Sequence, residues 1–183
     1  MTPPPVARQI KRAADRGGAV PKDLVTLDYE ARFLRRKVLH TVHDDPILVD
    51  LAETVSLDHG DCFVLEDGAL IEVIAAEEDL IEIRGGDLIR LAWHIGNRHT
   101  PCQIEETRLL IRRDAVMADM LAKLGAEVSE VSEPFIPEGG AYGVGRTHGH
   151  DHSHVHSAVP HVHVHGGHGH DHSDPRDEAV NDD

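Results

Sequence analysis

Aromatic residues make up only 3% of this 183-residue chain, which leaves little for nucleobases to stack upon. Basic side chains are also outnumbered, 18 Lys and Arg against 33 Asp and Glu, and the formal charge of −15 opposes binding to a phosphate backbone. Nucleic acid is therefore excluded as a partner. Cysteine occurs only at Cys62 and Cys102, far apart and in no paired spacing, which suits a reducing compartment better than a disulfide scaffold. Long apolar runs are missing, so no segment reads as a membrane span. The first twenty residues carry Pro3, Pro4, Pro5 and scattered basic side chains without the apolar stretch of a secretory signal. A cytoplasmic protein without membrane association is the expectation.

Histidine is what the chain has in excess. Eleven of its sixteen histidines fall between residues 148 and 172: His148, His150, His152, His154 and His156, then His161, His163 and His165, then His168, His170 and His172. In an extended chain, side chains at i and i+2 lie on one side roughly 6.5–7 Å apart, close enough for neighbouring imidazoles to converge on one ion. The run His-Gly-His-Asp-His-Ser occurs at 148–153 and again at 168–173. Such tracts read as metal binding. Irregular spacing, interleaved Asp, Val and Gly, and an acidic ending argue against a purification tag. Imidazole titrates near ~6.5, so acidification would make the tract cationic and expel bound metal.

Periodicity divides the rest. Residues 1–22 mix Pro, Ala, Gly and basic side chains without sustained period and read as a mobile extension. Between 23 and 79 the pattern is period two, with Val38, His40 and Val42, then Ile47, Val49 and Leu51, then Cys62 and Val64, then Ile71, Val73 and Ala75. Turn clusters at Asp58–Asp61 and Glu66–Gly68 punctuate it, the second joining a hairpin, so this is a small all-β domain. Over 80–142 the rhythm alternates. Leu80–Arg84 supplies a strand, and Asp87 caps a helix with Leu88, Leu91, Ala92 and Ile95 on its buried stripe. Gly96 is expected as the left-handed residue that ends this helix, with Pro101 forbidding resumption. Two short strands around Ile104, Leu109 and Ile111 follow. Asp114 then caps a second helix with a core face of Val116, Met117, Met120, Leu121 and Leu124, ended by Gly125, and a strand at 127–131 closes the order β-α-β-β-α-β. Residues 143–183 have too little apolar surface to form a core and read as a disordered tail. The fold class is α+β.

Outside the tail, His40, His43 and His59 read as strand or turn residues, and His94 as a helix-terminal residue favourable to the macrodipole. His99 follows a helix stop between Arg98 and Thr100, and spacing alone leaves it equally a surface residue or a ligand. Cys102, three residues on, reads as a small core hydrophobe before it reads as a ligand. Gly143 and Gly145 lack the following helix of a nucleotide signature, and no catalytic grouping appears, so a metal-dependent hydrolase is disfavoured and the chain is read as a non-enzyme.

The run His94-Ile95-Gly96-Asn97-Arg98-His99-Thr100-Pro101 is followed by the Asp119-Met120-Leu121 helix, Pro134-Phe135, and Pro137-Glu138-Gly139-Gly140-Ala141-Tyr142. Together with the Asp58–Gly68 region and the His-rich tail, it resembles the urease accessory protein UreE family over roughly residues 24–172. The resemblance implies a nickel metallochaperone with an N-terminal peptide-binding β domain and a C-terminal ferredoxin-like domain for metal binding and dimerisation. His99 matches the family's metal-binding histidine, which meets its symmetry mate in a homodimer. Nickel would then pass to the urease accessory GTPase and the urease apoprotein complex. The chain departs from some members at Ile111-Arg112-Arg113-Asp114-Ala115, where they carry auxiliary histidines, and tail histidines are the natural substitutes. Imidazole suits Ni(II), Zn(II) and Cu(II) alike, so a storage or detoxification protein is the rival reading.

Overall fold

The computed structural model describes residues 3–139, and the expected tail with His148–His172 lies outside the described residues. Six strands form the first sheet: β1 (Val6–Lys11), β2 (Asp23–Leu27), β3 (Phe33–His40), β4 (Pro46–Ser56), β5 (Cys62–Leu65) and β6 (Leu70–Ala75). Their spatial order is β2-β6-β5-β1-β4-β3, with β1–β4 and β2–β6 parallel and the remaining pairs antiparallel. The β5–β6 hairpin turns at Glu66–Gly68 as its turn residues dictate, with Gly68 at φ 82°. Val25, Val49, Leu57, Phe63, Ile71 and Val73 are the heart of the core.

The structure corrects the expectation that residues 1–22 are a mobile extension. Val6–Lys11 is an interior strand between β4 and β5, and Ala7 is fully buried. Its sequence hides this because the register shifts between Ala7 and Gln9. Such an irregularity breaks period-two alternation, and Ala7 and Ile10 alone face the core. The following turn is held as firmly. Asp61, buried at the end of the Asp58–Asp61 turn, accepts from Arg12 Nη1 at 2.6 Å, from the Ala13 amide at 2.9 Å and from the Asp58 amide at 3.0 Å. Val38 and His40 fall within β3, where Val38 is half exposed while Leu34 and Leu39 turn inward on either side of another register shift.

The second sheet contains β7 (Glu77–Arg84), β8 (Gln103–Ile104), β9 (Leu109–Arg112) and β10 (Glu127–Pro134), with α1 (Leu88–Gly96) and α2 (Ala115–Lys123) between them. The chain order is β-α-β-β-α-β, the sheet order β10-β7-β9-β8, and every neighbouring pair is antiparallel. This is the split βαβ arrangement that the periodicity anticipates. Both caps form: Asp87 accepts from the Arg90 amide at 3.1 Å, and Asp114 from the Val116 and Met117 amides at 2.8 and 3.0 Å. Ile81, Ile83, Leu109 and Ile111 from one sheet face pack against Leu91, Ile95, Met117 and Leu121 from the helices. Val116 departs from its expected core position and is 80% exposed. At 100° per residue the buried stripe centres on Met117 and Leu121, and Val116 falls off its edge.

The opposite face of this sheet buries Leu80 and Leu110 against Phe135, where Tyr29 of the β module meets the Phe135 ring edge-on at 5.5 Å. Nearby, Arg108 pairs with Glu105 at 2.6 Å and with Glu82 and Glu133 at 2.7 Å. Arg84 and Arg108 hold the Glu82 carboxyl down at about 2, and Arg108 lowers Glu105 and Glu133 as well. Carboxyls depressed on folding stabilise fully above their unfolded value near ~4.3, and that contribution disappears as the pH falls through the folded one. Arg108→Gln should therefore flatten the loss of thermal stability between pH 5 and pH 2, relative to the wild-type chain, in a melting series across that range.

Candidate metal centre

Helix α1 positions His99 by the way it stops. Asn97 remains right-handed at φ −65°, the Arg98 amide donates to Ile95 O at 3.0 Å, and the His99 amide donates to Gly96 O at 2.9 Å. The Thr100 amide then reaches back to Ile95 O at 3.4 Å. These six-to-one and five-to-two bonds are a Schellman stop, whose left-handed residue is His99 at φ 54°. The expectation that Gly96 takes this conformation is thereby corrected, since Gly96 still belongs to the helix. Sequence reasoning errs because glycine is the usual occupant, and only the backbone bonds show the stop three residues later.

Helix α2 offers an internal comparison. It ends with the same bonds, Gly125 N to Ala122 O at 3.0 Å and Ala126 N to Leu121 O at 3.1 Å, and its left-handed residue is Gly125 at φ 89°. One chain thus builds the same stop twice, once with the residue that backbone sterics favour and once with a histidine. Holding a side chain there costs about 1–2 kcal/mol. The result is an exposed imidazole on a backbone fixed by the helix behind it and Pro101 ahead of it.

The other histidines are placed differently. His94, half-buried in the last turn of α1, meets the Trp93 ring edge-on at 5.0 Å. His43 Nδ1 lies 2.9 Å from Asp23 Oδ1, His59 Nδ1 accepts from the Ala75 amide at 3.2 Å, and His40 ends β3 opposite Pro46. Cys102 packs beside the helix–sheet core, and burial pushes its thiol up to about 12. Burial therefore favours its neutral thiol form, consistent with the reading of Cys102 as a small core hydrophobe. Among the described residues no group of three or more His, Cys, Asp or Glu side chains could hold a metal ion. The structure therefore brings His99 to a prominent position but gathers no complete ligand set around it, and the tail histidines lie outside the described residues.

A groove of about 720 Å³ runs past His99, with Tyr29, Phe33 and Val55 on one wall and Thr100, Cys102 and Glu138 on the other. The chain enters that second wall on its way to the tail. The Ile136 amide donates to Gln103 Oε1 at 2.7 Å, and the Glu138 amide donates to Cys102 O at 2.9 Å. Sequence reasoning missed Gln103 and Glu138, because neither contact follows from any local pattern.

Comparison with known proteins matches residues 6–76 to the UreE urease accessory protein, N-terminal domain, and residues 78–174 to the C-terminal domain of the same family. A urease accessory protein UreE from Ruegeria pomeroyi is 66% identical over 145 residues, covering 79% of this chain and 96% of that protein. One from Cereibacter sphaeroides is 54% identical over 149 residues, covering 81% of each chain. One from Agrobacterium fabrum is 53% identical over 128 residues, covering 68% of this chain and 80% of its own.

The left-handed backbone of His99 supports a direct test. His99→Gly should raise unfolding free energy by about 0.5–1 kcal/mol, the steric relief being partly offset by glycine's entropy in the unfolded chain. Urea denaturation measures this, and nickel titration of the same sample should show weakened binding. A more stable variant that binds metal as before would remove the functional reason for a histidine at this position.

Proposed function

Because the chain belongs to the urease accessory protein UreE family, an accessory protein of urease and not an enzyme, we propose that it is a metallochaperone that binds Ni(II) and delivers it for assembly of the urease active site. The observation that carries this reading is the exposed, backbone-strained imidazole of His99 beside the wall from which the chain departs toward His148–His172. In the proposed route His148, His150, His152, His154, His156, His161, His163, His165, His168, His170 and His172 capture the ion and share it with His99. The β module would bind peptide, and the split βαβ domain would carry the metal site.

A homodimer completes the scheme. Ile89 and Trp93, four residues apart on α1, are 86% and 63% exposed, and they offer apolar surface to a second copy on the helix whose stop positions His99. Two His99 imidazoles across a two-fold axis fill only part of a coordination sphere. Remaining positions are open to water, the tail, or ligands from the urease accessory GTPase and the urease apoprotein complex. An ion held by so few fixed ligands exchanges readily, which a delivery protein needs and a store does not. Nickel preference must come from geometry, partner and supply, since copper binds such nitrogens more tightly, and Zn(II) or Cu(II) can occupy the same donors. The proposed setting is the cytoplasm.

Nickel titration of three proteins tests the scheme: the full chain, the chain truncated after Arg146, and that truncation carrying His99→Ala. The expected result is several ions for the first, about one per dimer for the second, and little tight binding for the third. Equal binding by the second and third would refute the His99 assignment. Unchanged urease activity under limiting nickel after gene deletion, with loss of metal tolerance, would favour storage over delivery.

A further inference from the structure

The groove that runs past His99 is bounded on its β-module wall by a strand with an open side. β4 stays paired with β3 as far as Ser56, opposite Phe33, but its pairing with β1 is confined to Val6↔Leu48 and Ala7↔Val49. β1 follows β5 instead, as far as Lys11↔Cys62. Residues Glu53 to Ser56 of β4 therefore line the groove with one side of their backbone unmatched by a strand. The Arg12 side chain crosses that opening and donates to Ser56 O at 2.9 Å.

The side chains around the opening narrow what it would take. Tyr29, Phe33 and Val55 supply apolar surface on one wall, and Ile104, 50% exposed, supplies it on the other. The charge is one-sided. Glu53, Asp58 and Glu138 line the groove as exposed carboxylates and form no ion pair among the described residues. The Arg12 guanidinium is already committed to the buried Asp61 carboxylate at 2.6 Å, so it does not offset them. An open strand side selects an extended ligand, whose successive side chains point to opposite faces. Uncompensated carboxylates select cations and oppose acidic segments.

We propose that this groove is the docking site for an extended, basic segment of a partner protein, in which Lys or Arg alternates with apolar side chains, laid beside the end of β4. The inference rests on the peptide-binding role proposed for the β module and supplies its location and the chemistry of its ligand. It does not depend on nickel. Because the groove runs past His99, a partner seated there would lie next to the candidate metal centre.

The test uses full-length, metal-free protein and fluorescence anisotropy of two labelled peptides, Lys-Val-Lys-Ile-Lys-Val-Lys-Ile and its counterpart with Glu in place of Lys, at about 0.15 M salt to suppress long-range attraction. The basic peptide should bind and the acidic one should not. Glu53→Lys combined with Glu138→Lys should weaken binding about tenfold, whereas Asp119→Lys combined with Glu127→Lys, which changes net charge equally outside the groove, should alter it less than about twofold. Ile104→Ser, a change at a half-exposed position, should weaken it about threefold. Equal weakening by the two double variants would mean that the peptide senses only net charge and would overturn the proposal, as would equal binding of the acidic peptide. Binding that neither the groove pair nor Ile104→Ser disturbs would leave the β module its peptide role at another surface and sink this location. If neither peptide binds, the location and the peptide role fail together, while the nickel titrations stand or fall on their own.

Discussion

Two backbone hydrogen bonds at the end of α1, from His99 to Gly96 O and from Thr100 to Ile95 O, are the constraint on which the arrangement around the candidate metal centre depends. They force His99 into the left-handed region and turn the chain out of the helix, so that Pro101 to Ile104 can reach the edge of the sheet as β8. Once that edge is set, Cys102 O and the Gln103 side chain become the partners that the 136–138 segment needs. The same stop at α2 ends in glycine, and the contrast isolates what is unusual: the fold needs a left-handed residue there but does not need a histidine.

An exposed imidazole without two further donors among the described residues cannot cage an ion. Cys102 is the nearest sulfur in sequence, and its burial keeps the thiol protonated. On the proposed reading, such a site would share its ion with ligands supplied from elsewhere, and sharing would suit transfer better than retention.

Much of this was legible in the sequence, and the failures share a cause. Strand and helix order in the split βαβ domain emerged from periodicity and from Asp87 and Asp114, because amphipathic spacing and caps are local properties. Strand β1 was not legible, since its register shift near Ala7 removes the alternation by which strands are recognised. Gly96 was a misleading cue: residue preference marks where a left-handed turn is easy, whereas hydrogen bonding decides where it falls. His99 stood out through family resemblance, but its backbone strain did not. The contacts of Arg32 with Phe135, Gln103 with Ile136, and Cys102 with Glu138 span 33 to 103 residues of sequence, beyond any local reading.

The central claim is that His99 is a nickel ligand, and the most direct measurement is the imidazole spectrum of ¹⁵N-histidine-labelled full-length protein during addition of Ni(II). Paramagnetic nickel broadens the signals of the rings that bind it. The account predicts that His99 resonances vanish below one equivalent per dimer, while those of His40, His43 and His59 stay sharp. His99 signals that persist unbroadened to saturation would contradict it.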